Sequence, residues 1–348
     1  MAKSGLSESF NIDILSPSEA DKIDASEWNS LGVSSLYPNP FYQRWCLLPA
    51  LHNLVNQDRV YVITIRQNAE LIGLFPVTIL NYKKSTKYLS MWNHDHCLLN
   101  DPLLSRKVNF RKIINKIGRM LNVSWVQLPM HNPQLMNKGF GLYKHYFYRA
   151  AITDKSKIQN HLESMKGKDR REIRRVQNKI NSDFDIKHIE HENIEAGMSR
   201  YSELEYKGWK GRKKGSILSN DNVKNYYFEM ASNPDSDSHI VFHELWADKH
   251  LVAISIRFKQ NNSYYDIKTC YDEDYKNYCP GKILELKNLS LLESESFDIV
   301  DSCTSPENAL INKLWHGRIK LQTSHVFFGT IKSQCWHLFY MVKKLFFI

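Results

Sequence analysis

Residues 271–293, "YDEDYKNYCPGKILELKNLSLLE", place a strand end, a Pro-Gly turn and an apolar-periodic helix in one short stretch. Because Pro and Gly interrupt secondary structure in most proteins, a plain strand-to-helix connection is one interpretation. The other is an anion site. Pro280 has no N–H to leave unsatisfied, and Gly281 lets the main chain approach a ligand closely. The helix, predicted to begin near Lys282, would present its first N–H groups and its positive dipole end to an anion.

The composition predicts a globular, cytoplasmic protein of two domains. The chain has 348 residues, of which 42% are hydrophobic and 24% charged, a length that fits one large or two medium domains. No stretch approaches the ~20 apolar residues of a membrane-spanning helix, and "MAKSGLSESF" lacks the apolar core of a secretion signal. The six cysteines form no C-x-x-C pair, so we expect free thiols.

A basic segment contributes strongly to the formal net charge of +10, and this charge favours an acidic partner. Residues 165–180, "MKGKDRREIRRVQNKI", carry seven Lys or Arg side chains against two acids. Within them Ile173, Val176 and Ile180 recur at helical spacing, which predicts an amphipathic helix with a basic outer face. Charge alone leaves open whether the partner is a cofactor, a nucleic acid or a lipid surface.

Two hairpin patterns indicate an internal repeat. Residues 59–79, "RVYVITIRQNAELIGLFPVTI", read as a strand, a four-residue turn and a strand, and residues 239–259, "HIVFHELWADKHLVAISIRFK", have the same pattern. The two segments align without a gap at an offset of 180 residues. We therefore predict two related halves, residues 1–150 and 151–330, followed by an apolar and basic tail at 331–348.

The periodicity also predicts the other main elements. They are helices at 41–55 and 108–121 with a third strand near 87–92, then helices at 194–208 and 221–231 with strands at 263–271, 297–303 and 318–328. Only the second half has the Pro-Gly turn at Pro280 and Gly281, called the Pro-Gly corner below. The matching place in the first half reads "NHDHCLLNDPLL". The two halves are expected to share a fold but not a function.

Four segments of the second half carry a family resemblance. In order they are "KDRREIRR" (168–175), "ELEYKGWKGRKKGS" (203–216), "YDEDYKNYCPGKILEL" (271–286) and "DSCTSPENALINKLWHGR" (301–318). With them the second half resembles the CelD-like acyltransferase domain of the GNAT (Gcn5-related N-acetyltransferase) superfamily, whose fold Fem-type peptidyl transferases share. The family's usual Ser-Pro-Gly element has Cys279 in place of Ser, which leaves its backbone role intact.

The resemblance implies an α/β (α+β) fold of tandem GNAT-like halves, each a mostly antiparallel twisted sheet flanked by helices. It also implies a non-catalytic first half. In the second half the donor, acetyl-CoA or a longer acyl-CoA, would lie between splayed strands with its pyrophosphate at the helix N-terminus. The residues that would hold the pyrophosphate are Tyr278, Cys279, Pro280, Gly281, Lys282 and Ile283. The chain lacks the Q/R-x-x-G-x-G/A loop of better-known acetyltransferases, so the identity of the donor stays open.

Three residues are candidates for the chemistry of acyl transfer. A thioester is already activated, so the enzyme must orient the amine, remove its proton and stabilise the oxyanion. Glu205 or Asp301 would be the base, and Tyr271 would give its O–H to the departing thiolate. Each also has a structural interpretation, as a surface acid, a turn cap and a strand residue, respectively.

Three further residues are candidates for binding the acceptor. The ring of Trp209 would wall the acceptor pocket, or it would simply belong to the core. Lys210 and Arg212 would grip an acidic group of the substrate. His94 and His96 lie at i,i+2 with no third ligand apparent, so we predict no metal site.

The C-terminal residues 335–348, "CWHLFYMVKKLFFI", are too few to span a bilayer. Packing against the body of the protein is one interpretation. The other is peripheral contact with a membrane, where Lys343 and Lys344 would favour anionic lipid.

Two principal classes of function remain open from the sequence. The favoured one is an acyl-CoA-dependent N-acyltransferase, in its simplest form an N-acetyltransferase, acting on a small-molecule amine, an amino sugar or an amino acid. The alternative is an aminoacyl-tRNA-dependent Fem-type transferase, in which the basic helix would hold tRNA. A non-catalytic nucleic-acid-binding protein is a weaker third class, because the basic helix has few interleaved aromatic side chains.

Overall fold

The chain forms two compact units in a computed structural model, which describes residues 10–55, 59–82, 86–136, 142–154, 158, 165–328 and 333–339. The first unit comprises residues 1–147 and 320–348, and the second comprises residues 148–319. The sequence placed residues 320–330 with the second half. They group with the first unit because the strand at 318–327 pairs there.

The first unit is a mixed sheet with helices. Its strands are β1 (Asn11–Leu15), β2 (Arg59–Gln67), β3 (Glu70–Tyr82), β4 (Thr86–Met91), β5 (Leu103–Leu104), β6 (Trp125–His131) and β13 (Arg318–Phe327). Its helices are α1 (Pro17–Ala20), α2 (Ala25–Ser34), α3 (Arg44–Asn53) and α4 (Phe110–Met120). The strands run in the order β1-β2-β3-β4-β6-β13, with β5 beside β3. The β4–β6 pair is parallel, and the pairs β1–β2, β2–β3, β3–β4, β3–β5 and β6–β13 are antiparallel.

The second unit repeats this arrangement. Its strands are β7 (Leu142–Ile152), β8 (Ile186–His191), β9 (Ile240–Ala247), β10 (His250–Gln260), β11 (Ser263–Tyr271) and β12 (Ile299–Asp301). Its helices are α5 (Gly167–Asp183), α6 (Ile194–Lys207), α7 (Trp209–Arg212), α8 (Asp221–Ser232), α9 (Pro280–Leu291) and α10 (Ala309–Leu314). The order is β8-β9-β10-β11-β12-β7, with β11–β12 as its parallel pair. The predicted class, mostly antiparallel sheets flanked by helices, is confirmed.

The two predicted hairpins occupy equivalent places in the two sheets. Gln67 pairs with Glu70, and at an offset of 180 residues Ala247 pairs with His250. The bulge that follows is also at equivalent positions, because Ile65 pairs with Gly73 and Leu245 with Ala253. The repeat is therefore confirmed, although two residues rather than four connect the strands of each hairpin.

The basic segment forms α5, and its apolar stripe faces the core as predicted. Ile173 packs in a cluster with Leu286 and Leu289 of α9. Val176 and Ile180 pack in a second cluster that contains Ile283 and Leu284 of the same helix. Burial of these side chains holds α5 against α9, so the helix that follows the Pro-Gly corner is fixed from one side.

The corner itself differs from the predicted direct strand-to-helix turn. A 3-10 helix, Glu273–Tyr278, separates β11 from Cys279, which has a left-handed backbone with φ 52° and ψ 50°. Helix α9 then begins at Pro280, two residues earlier than expected, with the fixed φ of proline suited to the first helical turn.

The predicted tail, 335–348, lies mostly outside the described residues, which end at 339. Residues 333–339 are helical, and Leu338 and Phe339 are exposed. Among the described residues, none of the helices combines the length and the apolar character needed to cross a membrane.

Candidate active site

A cavity of about 460 Å³ lies in the second unit, where two paired strands separate. Strands β11 and β12 pair only over Ser263–Tyr265 and Ile299–Asp301. Beyond that point β11 continues to Tyr271, whereas β12 has ended. The cavity is lined from β11, from the start of α9 and from the segment after β12: Asp266, Ile267, Lys268, Thr269, Tyr271, Lys276, Cys279, Pro280, Gly281, Lys282, Glu285, Ser302, Cys303, Thr304, Asn308, Leu310 and Ile311.

Four of the six residues predicted to hold the pyrophosphate line this cavity, namely Cys279, Pro280, Gly281 and Lys282. The other two point elsewhere. Ile283 is buried in the core, and the hydroxyl of Tyr278 donates to Asp183 over 2.8 Å.

The N-terminus of α9 presents an open backbone to the cavity. The carbonyl of Cys279 accepts hydrogen bonds from the N–H groups of Lys282 at 2.9 Å and Ile283 at 3.1 Å. No described residue accepts from the Gly281 N–H, and no side chain caps the helix. A Cβ built on Gly281 would have one neighbour within 4 Å, the Tyr271 ring at 3.5 Å. The space in front of Gly281 is therefore open to a ligand.

Two lysines of the cavity differ in their pairing. Lys282 Nζ lies 2.7 Å from Glu172 of α5, and the hydrogen bond from Lys282 lowers the pKa of that carboxyl. Lys276 is exposed on the 3-10 helix and forms no ion pair with a described residue. Its charge contributes to lowering the pKa of Glu273, which pairs with Arg212.

Two carboxyl groups line the opposite, inner part of the cavity. Asp266 on β11 accepts from Arg257 of β10, with Nε 2.6 Å from Oδ1 and Nη2 3.4 Å from Oδ2. Glu285 on α9 accepts from the Trp315 indole N–H over 2.6 Å at Oε1. Burial, followed by the charge of Asp266, raises the pKa of Glu285 to about 7. Neither residue was predicted from the sequence, although Glu285 lies one helical turn after Gly281 and so shares its face of α9.

Glu205, a predicted base, is a buried structural carboxylate. Its Oε1 lies 2.9 Å from Lys210 Nζ and 3.2 Å from the Tyr201 hydroxyl, and its Oε2 accepts from the Ile217 N–H over 2.8 Å. Burial opposes ionisation, but Lys268 and Lys210 hold the pKa of Glu205 below its ordinary value. A group held ionised by so many donors is a weak proton acceptor.

Asp301, the other predicted base, closes β12. It forms a buried ion pair with Arg149 of β7, Oδ2 to Nη2 at 2.5 Å, and it also accepts from the Cys303 N–H over 2.9 Å. Asp301 is not among the residues that line the cavity, whereas Ser302 and Cys303 are. In this geometry Asp301 positions the segment that forms one wall of the cavity.

Tyr271, predicted to give its O–H to the departing thiolate, lies at the main cavity. It ends β11, its side chain is 38% exposed, and it lines both the main cavity and a neighbouring cavity of about 40 Å³. Its hydroxyl makes no hydrogen bond to a described residue, so it is available to a ligand.

The three residues predicted to bind the acceptor do not all line one cavity. Trp209 and Lys210 line the small cavity, but the Lys210 ammonium is bound to Glu205. The side chain of Trp209 is 48% exposed, so it is not a core residue. Arg212 is exposed and pairs with Glu273, away from both cavities.

The outer face of α5 forms an exposed basic surface. Its exposed members are Lys166, Lys168, Arg171, Arg174, Arg175 and Lys179. Arg171, Arg174 and Arg175 form no ion pair with a described residue, whereas the acids of α5 bind elsewhere, Glu172 to Lys282 and Asp169 to Lys313.

In the first unit, His94 and His96 lie with their ring centroids 6.1 Å apart. Burial, and then the proximity of His96, lowers the pKa of His94 to about 3. His94 is therefore neutral at physiological pH.

Comparison with known proteins identifies the fold. Residues 165–308 match the family described as acetyltransferase (GNAT) domain. No curated protein matches the chain in sequence.

Three solved structures resemble the chain over most of its length. FemX has a TM-score of 0.54 at 7% identity and covers 90% of this chain and 98% of its own. A conserved protein of unknown function from Bacteroides thetaiotaomicron has a TM-score of 0.55 at 9% identity, covering 91% and 100%. L-PGS from Bacillus licheniformis has a TM-score of 0.52 at 11% identity, covering 90% and 96%.

At these identities the likeness shows the fold alone. Residues 165–308 match a GNAT domain, and the chain has a fold like that of FemX, which confirms the predicted resemblance at the level of the GNAT-superfamily fold. The matched range contains α5, β11 and the start of α9, and with them most of the cavity.

Proposed function

We propose that the second unit transfers an acyl group from acyl-CoA to the amine of a small molecule. The observation that carries this proposal is the cavity between β11 and the segment that follows the end of β12, with the open N-terminus of α9 among its lining. Such a cleft takes an extended, anionic thioester between two strands and places the reacting carbonyl inside it.

The anionic part of the donor would bind at the start of α9. Backbone N–H groups and the positive end of the helix dipole attract phosphate, and Gly281 leaves room for close approach. Lys276 lines the cavity and supplies a positive charge that forms no ion pair with a described residue. Lys282 can exchange its partner Glu172 for a phosphate oxygen.

The dimensions of the cavity suit a small acceptor. A volume of about 460 Å³ lies within the range of roughly 300–1,000 Å³ typical of small-molecule sites. The apolar side chains of Ile267, Leu310 and Ile311 exclude water from part of the wall, while the polar groups set the orientation of the reactants.

The transfer needs orientation and proton movement more than covalent help from the protein. Holding the amine against the thioester carbonyl removes much of the entropic barrier. The Tyr271 hydroxyl, which lines the cavity, would protonate the departing thiolate. The Arg149–Asp301 pair would fix the wall formed by Ser302 and Cys303.

A second candidate is aminoacyl-tRNA-dependent transfer of the Fem type. The exposed, unpaired arginines of α5 favour it, because a dense basic face binds a phosphate backbone. A long acidic donor would lie across α5 and reach the same cavity.

Ligand-induced stabilisation tests the proposal. Titrating the purified protein with CoA, and separately with bulk tRNA, should raise the melting temperature for the ligand that binds the native state. We expect a shift with millimolar CoA. A shift with tRNA and none with CoA would replace the first function by the second.

A further inference from the structure

Most of the charged side chains that line the cavity form ion pairs with other residues of the protein. Glu172 pairs with Lys282 and Arg257 pairs with Asp266, whereas Glu205 is shared between Lys210 at 2.9 Å and Lys268 at 3.7 Å. Of the charged side chains that line the cavity, Lys276 and Glu285 have no oppositely charged partner within ion-pair distance among the described residues. Lys276 acts on Glu273, whose pKa its charge lowers, so Glu285 is the carboxyl group of the cavity that forms no ion pair with a described residue.

The geometry of Glu285 is that of a proton acceptor. It projects from α9 into the cavity, one turn after Gly281. The Trp315 indole N–H fixes Oε1, and Oε2 accepts no hydrogen bond from a described residue. The carboxyl group is thus held in one orientation with one oxygen left for a ligand.

The surroundings of Glu285 set its proton affinity. Asp266 of β11 and Arg257 of β10 are the charged groups that act on it, and Trp315 donates to it. Burial and the negative charge of Asp266 outweigh the effects of Arg257 and Trp315, so the pKa of Glu285 rises. A carboxyl group that titrates near neutral pH is suited to accept a proton and release it again.

We propose that Glu285 is the proton acceptor for the transfer and that the acceptor substrate arrives as an ammonium ion. This inference rests on the proposed acyl-CoA function and deepens it, because it names both a catalytic residue and the charge class of the substrate. A cation is attracted to the inner carboxyl group, as an anion is to Lys276.

The step balances in atoms and electrons. The ammonium group gives one proton to Glu285, and the freed nitrogen lone pair forms the C–N bond to the thioester carbonyl carbon. The C–S bond breaks with its electron pair on sulfur. The thiolate takes a second proton, lost from the attacking nitrogen, through the Tyr271 hydroxyl. Glu285 later releases its proton to solvent.

The first test follows the titration of Glu285 through stability, without any acceptor. Because the pKa of Glu285 is raised in the folded protein, its protonation stabilises the folded state. This stabilisation is complete below about pH 4.5, the ordinary pKa of the group, and is lost as the pH rises through 7. Glu285→Gln has no such loss. We expect its melting temperature, relative to wild type, to increase by several degrees between pH 4.5 and 8. A constant difference over that range would overturn the proposal.

The second test compares two nucleophiles with acetyl-CoA as donor. Ethanolamine is protonated at pH 7, whereas hydroxylamine is largely neutral. We expect Glu285→Gln to slow transfer to ethanolamine by about 10²-fold or more, to lose the acid limb of the pH profile, and to keep most of the transfer to hydroxylamine. Glu285→Asp should retain a displaced acid limb.

The control is Glu293→Gln, which removes an exposed carboxyl group just after α9 and outside the cavity. It should leave both reactions unchanged. Transfer to ethanolamine at the wild-type rate by Glu285→Gln would overturn the role of Glu285 while the acyl-CoA function stands. Failure of the wild type to bind CoA in calorimetry would overturn the acyl-CoA function itself.

Discussion

Gly281 and Glu285 lie one helical turn apart on α9 and line the same cavity, Gly281 at the helix start and Glu285 further inside. One helix face therefore carries both the backbone that would hold the donor's phosphates and the carboxyl group that would take the acceptor's proton. Because α5 packs against the other side of α9, the two groups are fixed relative to each other.

Gly281→Ala should weaken CoA binding and leave folding nearly intact. The backbone of Gly281 is not left-handed, and a Cβ there would meet only the Tyr271 ring at 3.5 Å. The methyl group would nevertheless occupy the space in front of the open N–H. We expect a loss of about 1–3 kcal/mol in binding, measured by calorimetry.

The matched control is Gly167→Ala, at the first position of α5, where a Cβ would meet nothing within 4 Å. It should bind CoA as the wild type does. If Gly281→Ala also binds CoA with wild-type affinity, the start of α9 is not part of the donor site.

Lys276→Ala should weaken CoA binding about three- to tenfold. Lys276 is an exposed cation, and a charge-assisted contact to phosphate at a solvated edge is worth less than a buried one. The loss should shrink as salt is raised from 50 mM to 500 mM. Lys287→Ala removes an exposed lysine of α9 outside the cavity and should change nothing; equal effects of the two variants would indicate only general charge attraction.

Asp301→Asn should destabilise the protein strongly. The side chains of Arg149 and Asp301 are each 2% exposed, so the substitution removes a buried counter-charge of the guanidinium. We expect a loss of about 3–5 kcal/mol in the free energy of unfolding, measured by urea denaturation. Glu70→Gln breaks the exposed pair with Arg106 and should cost about 0–1 kcal/mol. A stable Asp301→Asn protein that has lost transfer would instead support Asp301 as the base.

The triple variant Arg171→Ala, Arg174→Ala, Arg175→Ala should keep its affinity for CoA. These side chains lie on the outer face of α5 and do not line the cavity. Binding of bulk tRNA by the wild type should fall steeply between 50 mM and 200 mM salt. Tight tRNA binding that survives 200 mM salt and is lost in the variant would favour the Fem-type alternative.

Local patterns predicted much of the fold because they depend on periodicity within short segments. Strand β11 has the predicted bounds, and α6 and α8 end within one residue of them. Edge strands such as β8, with its mixture of polar and apolar residues, gave too weak an alternation to be predicted. The short β12 was predicted too long, since Ser302 and Cys303 follow the cavity wall instead of continuing the pairing.

The part of the candidate site that depends on backbone chemistry was predicted from the sequence. The part that depends on the packing of side chains was not. Pro280 and Gly281 indicate a helix start from sequence alone. The sequence does not show how Glu205 is enclosed. Tyr201 lies one helical turn before it on α6, but Lys210 and the Ile217 N–H reach it only when the chain after α6 folds back, and Lys268 approaches from β11. The ionised state of Glu205 depends on these contacts.

The sequence by itself determined the repeat, the amphipathic α5 and the Pro-Gly start of α9, because residue spacing and the limits on proline and glycine act locally. Only the tertiary structure decided which charges remain unpaired. Glu285 is far in sequence from Asp266, Arg257 and Trp315, and their approach through β10, β11 and α9 sets its proton affinity. Burial and charge proximity are long-range in the chain, so they appear only once the sheet and helices have closed around the cavity.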